Sequence, residues 1–357
     1  MADSCASCGD LTGTGTAAWY ARRALLRSAV FDTSDHELWA HRPAVACSVL
    51  VGVVTEVHED AIVIDTRHGP EVVTVSPATV TWLGARTAVS ALRPGDTVIV
   101  RHTTVNAGSR PRRLAERIWA RIGRVTGRII AAEGREFLVD AGRHDRSPRR
   151  VVVATASARQ IQVRFPRLAP GFLLDVIGTR HGDHLLAVTP AAAQPPYRAG
   201  ETPAAPLVNG PLPVPVSGSA VWHEPDDEPP SLLGLGYPAL DPETDGLVTE
   251  QTAAGGVTAG GAEAGRGPGC VRLPYLSLGS AVRVTNECAG RSAVLPVTSD
   301  GFMARQFCDR CLQCGTSPRG RVADLTMTAF VELGGNLEDG CFNATLALAG
   351  LPRPTGV

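Results

Sequence analysis

The sequence predicts a mainly β protein in which two small β-barrels follow one another and a Pro/Gly-rich linker precedes a third, carboxy-terminal module. Three observations carry this expectation. Only 5% of the 357 residues are aromatic, whereas 38 are Gly and 27 are Pro, a balance that favours turns and short strands over long helices. β-branched residues alternate through two consecutive blocks. A Leu-x-Pro-Gly turn occurs twice, at Leu92–Gly95 and Leu168–Gly171. At about 150 residues per domain the length allows two or three domains, and 44% hydrophobic content is enough for their cores.

Residues 1–43 read as an extension with one short helix over Ala17–Ala29, its apolar side formed by Trp19, Tyr20, Leu25 and Leu26. The first barrel is expected over 44–104, where VLVGVVTEVHEDAIVIDT, EVVTVSPATVTWL and LRPGDTVIVR alternate as strands and HEDA and RHGP supply turns. The second is expected over 118–190. There IGRVTGRIIAAEGREFLVDA aligns Gly123 and Val125-Thr126 with Gly52 and Val54-Thr55, and LAPGFLLDVIGTR answers LRPGDTVIVR. Tandem copies of one small OB-like barrel account for the repetition. Each copy resembles a bacterial small-barrel family of unknown function, with a "GxVTxV" hairpin followed by "LxxGDxVxV".

All 34 positive charges are Arg, and 35 acids bring the formal net charge to −1, which excludes a globally basic polyanion binder. The charges are nevertheless segregated. Residues 101–190 hold 17 Arg against 7 acids, whereas 201–260 hold 9 acids and no Arg. The basic middle region is a candidate surface for an acidic partner. Its aromatics Trp119, Phe137, Phe165 and Phe172 read as core rather than as stacking platforms, so nucleic acid is not the expected ligand. No apolar run reaches the ~18 residues of a membrane span. The start of the sequence does not read as a signal peptide.

Thirteen of the 27 prolines fall between Pro190 and Pro242, and Gly, Ala and Thr tracts continue to Gly269, so 191–265 reads as a linker. Within it, Trp222, Leu232, Leu233, Leu235 and Tyr237 are candidates for docking on a barrel. His223 with Glu224, Asp226 and Asp227 has ligand-type chemistry but no rigid scaffold, and no metal or cofactor is expected.

Residues 266–350 form the informative module. The strands SAVRVTN and SAVLPVT flank the turn ECAGR, and ADLTMTAFVELG reads as a short helix capped by Asp324 or Thr326, with Phe330 and Leu333 on its apolar side. LGSAVRVTNECAGRSAVLPVT, then CDRCLQC, then ADLTMTAFVELG and DGCFNATL follow one another in an order that resembles the double-psi β-barrel of rare-lipoprotein-A-like proteins, expansins and barwin-type domains. The resemblance covers under a quarter of the chain. It implies a closed six-stranded barrel, a groove for cell-wall glycan such as peptidoglycan, and an extracellular or cell-envelope location.

In glycan-cleaving members of that group a carboxyl is the general acid, and Asp309 matches it, with Asp324 matching the aspartate of the following motif. Asp300 lies one position from the alternative register, so Asp309, Asp324 and Asp300 are the candidate catalytic residues. A carboxyl protonates a glycosidic oxygen only where its surroundings raise its pKa. The cleaving members also carry a His before the turn that here reads RLPYLSLG, and no His follows His223. Tyr275 is the one Tyr or Trp of the module. Glycan binding without strong hydrolysis is therefore the leading expectation. A lytic transglycosylase using Asp309 and a structural adaptor of the envelope are the alternatives.

Nine cysteines fall unevenly along the chain. Cys270, Cys288, Cys308, Cys311, Cys314 and Cys341 cluster in the last quarter and read as disulfide candidates, whose pairing spacing cannot assign. Cys308, Cys311 and Cys314 have cluster-ligand spacing, but the fourth position of that run is Pro318. Cys5 and Cys8 form half of a zinc motif, with only Cys47 nearby.

Overall fold

The computed structural model describes residues 49–107, 110–142, 147–199, 207–208, 215–223, 233–238, 273–274, 276–299, 301 and 320–348. The chain divides into two units, Met1–Ser48 and Val49–Val357, and every described residue belongs to the second. The helix expected over Ala17–Ala29 lies outside the described residues.

The architecture is mainly β, with three closed barrels. The first is built from β1 (Val49–Val57), β2 (Ala61–Thr66), β3 (Gly69–Thr74), β6 (Thr97–Ala107) and β7 (Arg110–Ala120). Strands β4 (Val80–Trp82) and β5 (Arg86–Thr87) extend the sheet beside β7. The antiparallel run β3-β2-β1-β6-β7 is closed by parallel pairing of β3 with β7. The second barrel uses β8 (Ile122–Glu133), β9 (Glu136–Asp140), β10 (Arg149–Val153), β11 (Leu173–His181) and β12 (His184–Pro190), with α1 (Ala158–Arg164) between β10 and β11. Its parallel closure, β10 with β12, occupies the same place in the order. The two barrels thus share one OB-like connectivity.

The domain boundary differs from expectation. Residues 105–117 had been left between barrels, yet most of them belong to β7, the strand that closes the first barrel. A single residue separates β7 from β8. Arg121 has φ 50°, the one positive φ of a non-glycine among the described residues. It is pinned by Arg121 N donating to Thr97 O (2.8 Å), by Arg180 N donating to Arg121 O (2.8 Å) and by an ion pair to Asp96 (3.2 Å).

The repeat is also displaced from the sequence alignment. The structural counterpart of Gly52 is Gly127, not Gly123. A Cβ on Gly52 would meet the carbonyl oxygen of Asp65 at 2.3 Å, and one on Gly127 would meet that of Asp140 at 2.2 Å. Bulges follow each glycine at Val54/Glu56 and Ile129/Ala131. The two Leu-x-Pro-Gly turns dock on those bulges alike: Gly95 N donates to Val54 O and Gly171 N to Ile129 O, both at 2.8 Å. Gly95 and Gly171 have φ of 94° and 89°, the left-handed region in which a side chain is strained.

Alternation explains the packing. Val54, Ile62, Ile64, Val98, Val100 and Ile118 fill the first barrel, and Ile129, Val139, Val151, Phe165, Leu174 and Val176 fill the second. On β6, β7, β8 and β11 the opposite face is apolar too, because Ile99, Trp119, Ile122 and Ile177 enter the core of the third barrel. Where both faces are covered the strands carry short apolar runs, VIV at 98–100 on β6 and IWA at 118–120 on β7.

The third barrel contains β14 (Val216–His223), β15 (Leu235–Gly236), β17 (Ala281–Asn286), β18 (Arg291–Ser299), β19 (Arg321–Thr326) and β20 (Cys341–Leu348) in the closed order β14-β19-β15-β18-β17-β20. Two short strands, β13 (Leu207–Val208) and β16 (Leu273–Pro274), pair with each other outside it. Two barrel strands therefore come from the stretch expected to be linker. VSGSAVWH buries Ala220, Val221 and Trp222, and Leu235 and Tyr237 are wholly buried, so these are barrel residues and not docking segments. Proline density concealed them. The expected helix is α2 (Met327–Glu332); Thr326 caps it, its hydroxyl accepting from Ala329 N, while Asp324 lies within β19.

Two outcomes follow. Gly127→Ala is expected to lower unfolding stability by about 3 kcal/mol, since a backbone carbonyl blocks its Cβ, and Gly52→Ala by a similar amount; urea midpoints read both. His102 on β6 is 4% exposed, and neither ring nitrogen finds a well-formed hydrogen bond among the described residues. Burial, then nearby Arg113, lowers its pKa below the ordinary value. The unfolded chain therefore binds the proton better, and this contribution to stability falls as pH drops through about 6.5. His102→Leu is expected to show a smaller loss of thermal midpoint between pH 7 and pH 5 than the parent.

Candidate functional site

The third barrel places a buried polar strip along β14, β19 and β15. Parallel pairing sets Val221 opposite Asp324 and His223 opposite Thr326, and β15 sets Gly236 opposite Asp324 from the other side. His223 Nδ1 lies 3.1 Å from Asp324 Oδ1, with His223 7% and Asp324 1% exposed. Thr326 Oγ1 also accepts from Gly234 N at 3.3 Å. The strip is close-packed. A Cβ on Gly236 would meet Gly301 Cα and Ser299 Oγ, each at 2.7 Å, and Tyr237 N donates to Ser299 O at 2.9 Å.

The sequence had set His223 among linker acids and Asp324 among groove acids, so the structure unites two residues that sequence reasoning kept apart. The signal was available in the alternation of VSGSAVWH, ahead of the acidic run. Asp309 and Asp300 lie outside the described residues, as do Cys270, Cys308, Cys311, Cys314 and Glu224, Asp226 and Asp227. Asn286 serves the hairpin turn: its Oδ1 accepts from Cys288 N and Ala289 N, and its Nδ2 donates to Leu333 O at 2.9 Å. Cys341, one of the disulfide candidates, is instead a buried thiol at the start of β20.

Arg321 pairs across the barrel boundary with Asp175 of the second barrel. Asp175 is fully buried; its Oδ1 accepts from Arg124 Nε and Thr126 Oγ1, each at 2.8 Å, and its Oδ2 from Arg124 Nη2 at 2.7 Å and from Arg321 Nη2. Burial alone would raise this carboxyl, but Arg124 and Arg321 hold it at about 2. Arg124 also donates through Nη1 to Trp222 O (2.9 Å) and Gly340 O (2.7 Å), and its guanidinium lies 5.6 Å from the Trp222 ring centroid. The residue before His223 is thus fixed by a neighbouring barrel.

A loop completes the frame. Gly335–Gly340 meets the first barrel through Arg101, which donates to Gly335 O (3.3 Å) and Asn336 Oδ1 (3.2 Å), and through Arg117 and Trp119, which both donate to Glu338. Trp222 Nε1 donates to Leu337 O at 2.8 Å. Burial pushes the Asp339 carboxyl above its ordinary range.

No protein-family model matches the chain, and no curated protein does. Among the described residues no group of three or more His, Cys, Asp or Glu is arranged to hold a metal ion, and no helix is long and apolar enough to cross a membrane.

Asp175→Asn is expected to cost about 3–5 kcal/mol at neutral pH, because it leaves two buried guanidiniums without a counter-charge. The depressed carboxyl contributes stability above the unfolded value near 3.8, and that contribution is lost as pH falls from about 4 towards 2. Denaturant midpoints at pH 7 and pH 3 check both: the gap between parent and variant should narrow in acid.

Proposed function

We propose that this is a cell-envelope or extracellular protein whose third barrel binds polysaccharide in an expansin-like manner, without cleaving it. The observation that bears on cleavage is the burial of Asp324, the one candidate acid among the described residues. A general acid must come within hydrogen-bond reach of the glycosidic oxygen. A carboxyl that is 1% exposed and engaged by His223 is committed to ordering the barrel instead. The identity proposed for the barrel is the double-psi form. In its support, the β17–β18 hairpin, β19 running into α2, and β20 occur in the order that the resemblance requires, within a closed six-stranded barrel.

On this reading the two OB-like barrels are a base that fixes the glycan-binding barrel. Disulfides among the other carboxy-terminal cysteines would suit an oxidising compartment. The full-length protein is expected to sediment with purified peptidoglycan or cellulose and to release no soluble fragments from pH 4 to 8. Release abolished by Asp309→Asn would instead establish an enzyme, and absence of both sedimentation and release from folded protein would leave an adaptor.

A further inference from the structure

His102 sits where the first barrel is closed over the shortest length. On β6 it follows Val100 of the barrel core by two residues, so strand alternation turns it towards the same interior. The seam that closes this barrel pairs Val73 with Arg113 and Thr74 with Leu114, whereas the matching seam of the second barrel runs from Arg150 opposite His184 to Val153 opposite Ala187. Beyond Leu114, β7 changes partner and pairs with β4 from Arg117 onwards. Ala115 and Glu116 occupy the gap. Ala115 O is held there by the Thr79 hydroxyl, which donates to it at 2.8 Å. Glu116 has no residue opposite it on β6 either, because Arg101 is set opposite Arg117 and His102 opposite Ala115. A bulge and a change of partner therefore fall together beside the buried imidazole.

The surroundings of His102 suit a neutral ring. The charged groups facing it are Arg113 and Glu116 of β7 and Glu71 of β3, and Arg113 already pairs with Glu71 across the seam. A proton on the ring places a second cation beside Arg113 in a site with little water to solvate it. Opening the gap returns water to the ring and breaks few backbone hydrogen bonds. The gap is also connected to the third barrel. Glu116 accepts from Arg101 Nε at 3.2 Å, and Arg101 Nη1 and Nη2 hold Gly335 O and Asn336 Oδ1.

We propose that His102 is a proton-sensitive latch, whose protonation opens the first barrel at Ala115 and Glu116 and, through Arg101, releases the Gly335–Gly340 loop of the third barrel. The sign follows from the local chemistry. Burial and then Arg113 disfavour the proton, and together they outweigh Glu116 and Glu71. The closed form therefore binds the proton less well than the open one, so the latch stays shut above about pH 6.5 and opens increasingly as the pH falls below it. The device concerns the join between the barrels and stands without the glycan reading.

The test is hydrogen–deuterium exchange of the full-length protein, read by mass spectrometry at about pH 7.5 and about pH 5 and corrected for intrinsic exchange rates. Peptides covering 110–120 and 335–342 are expected to exchange roughly tenfold faster at the lower pH after correction, while those of β8–β11 keep their protection. His102→Leu is expected to abolish the difference in both segments. Asp339→Asn removes a titrating carboxyl from the loop itself and is expected to preserve the difference. Unchanged protection of either segment in the parent at the lower pH would overturn the proposal, and so would an equal loss across the second barrel, which means global unfolding. A response of 335–342 that persists in His102→Leu, or vanishes in Asp339→Asn, would overturn it as well. The parent and Asp339→Asn decide the outcome by themselves if His102→Leu does not fold.

Discussion

Asp175 is a single carboxylate enclosed by two guanidiniums from different barrels, and the arrangement of the other parts depends on it. Neither Arg124 nor Arg321 could be withdrawn from water without a counter-charge, and Asp175 could not ionise in that position without both of them. The second and third barrels therefore need each other for their interiors to be electrostatically consistent. Arg124 then spends its remaining donors on the carbonyls of Trp222 and Gly340, which fixes the end of β14 and the start of β20 together. His223 follows Trp222 directly, so its pairing with Asp324 inherits that constraint.

Apolar packing reinforces the same join. Ile99, Trp119, Ile122 and Ile177 point away from their own barrels and into the core that contains Trp222, Leu235, Phe330 and Phe342. A barrel that binds a ligand by itself would keep such faces polar. Here they are used for association, and the first two barrels act as a base for the third.

Several features were legible in the sequence for identifiable reasons. Alternation at period two and the Leu-x-Pro-Gly turns marked the two small barrels, because both report local backbone geometry. The strand β7 was harder to see, since RPRRLAERIWA mixes arginines with apolar residues and its closure of the barrel is a parallel pairing with β3, distant in sequence. The repeat was misaligned by four residues because a Gly followed two positions later by Val-Thr occurs at both Gly52 and Gly123. The glycine that matters is identified by a carbonyl from the next strand, which no alignment of side chains displays. At the site, Asp324 was legible from its motif and His223 from its chemistry, but their pairing depends on a parallel strand contact across about a hundred residues of chain.

The sequence by itself determined the class of the protein: mainly β, with two like barrels and a third module following a proline-rich stretch. Composition, turn residues and alternation are local properties, and local properties are enough for that. Tertiary structure alone decided where the barrels end, that 216–223 and 235–236 are barrel strands, that Arg321 answers Asp175, and that Asp324 faces an imidazole rather than solvent. Each of those outcomes is a pairing between residues far apart in the chain, and its energy comes from burying apolar surface and from pairing the charges that are buried with it. That condition exists only once the barrels have been brought into contact.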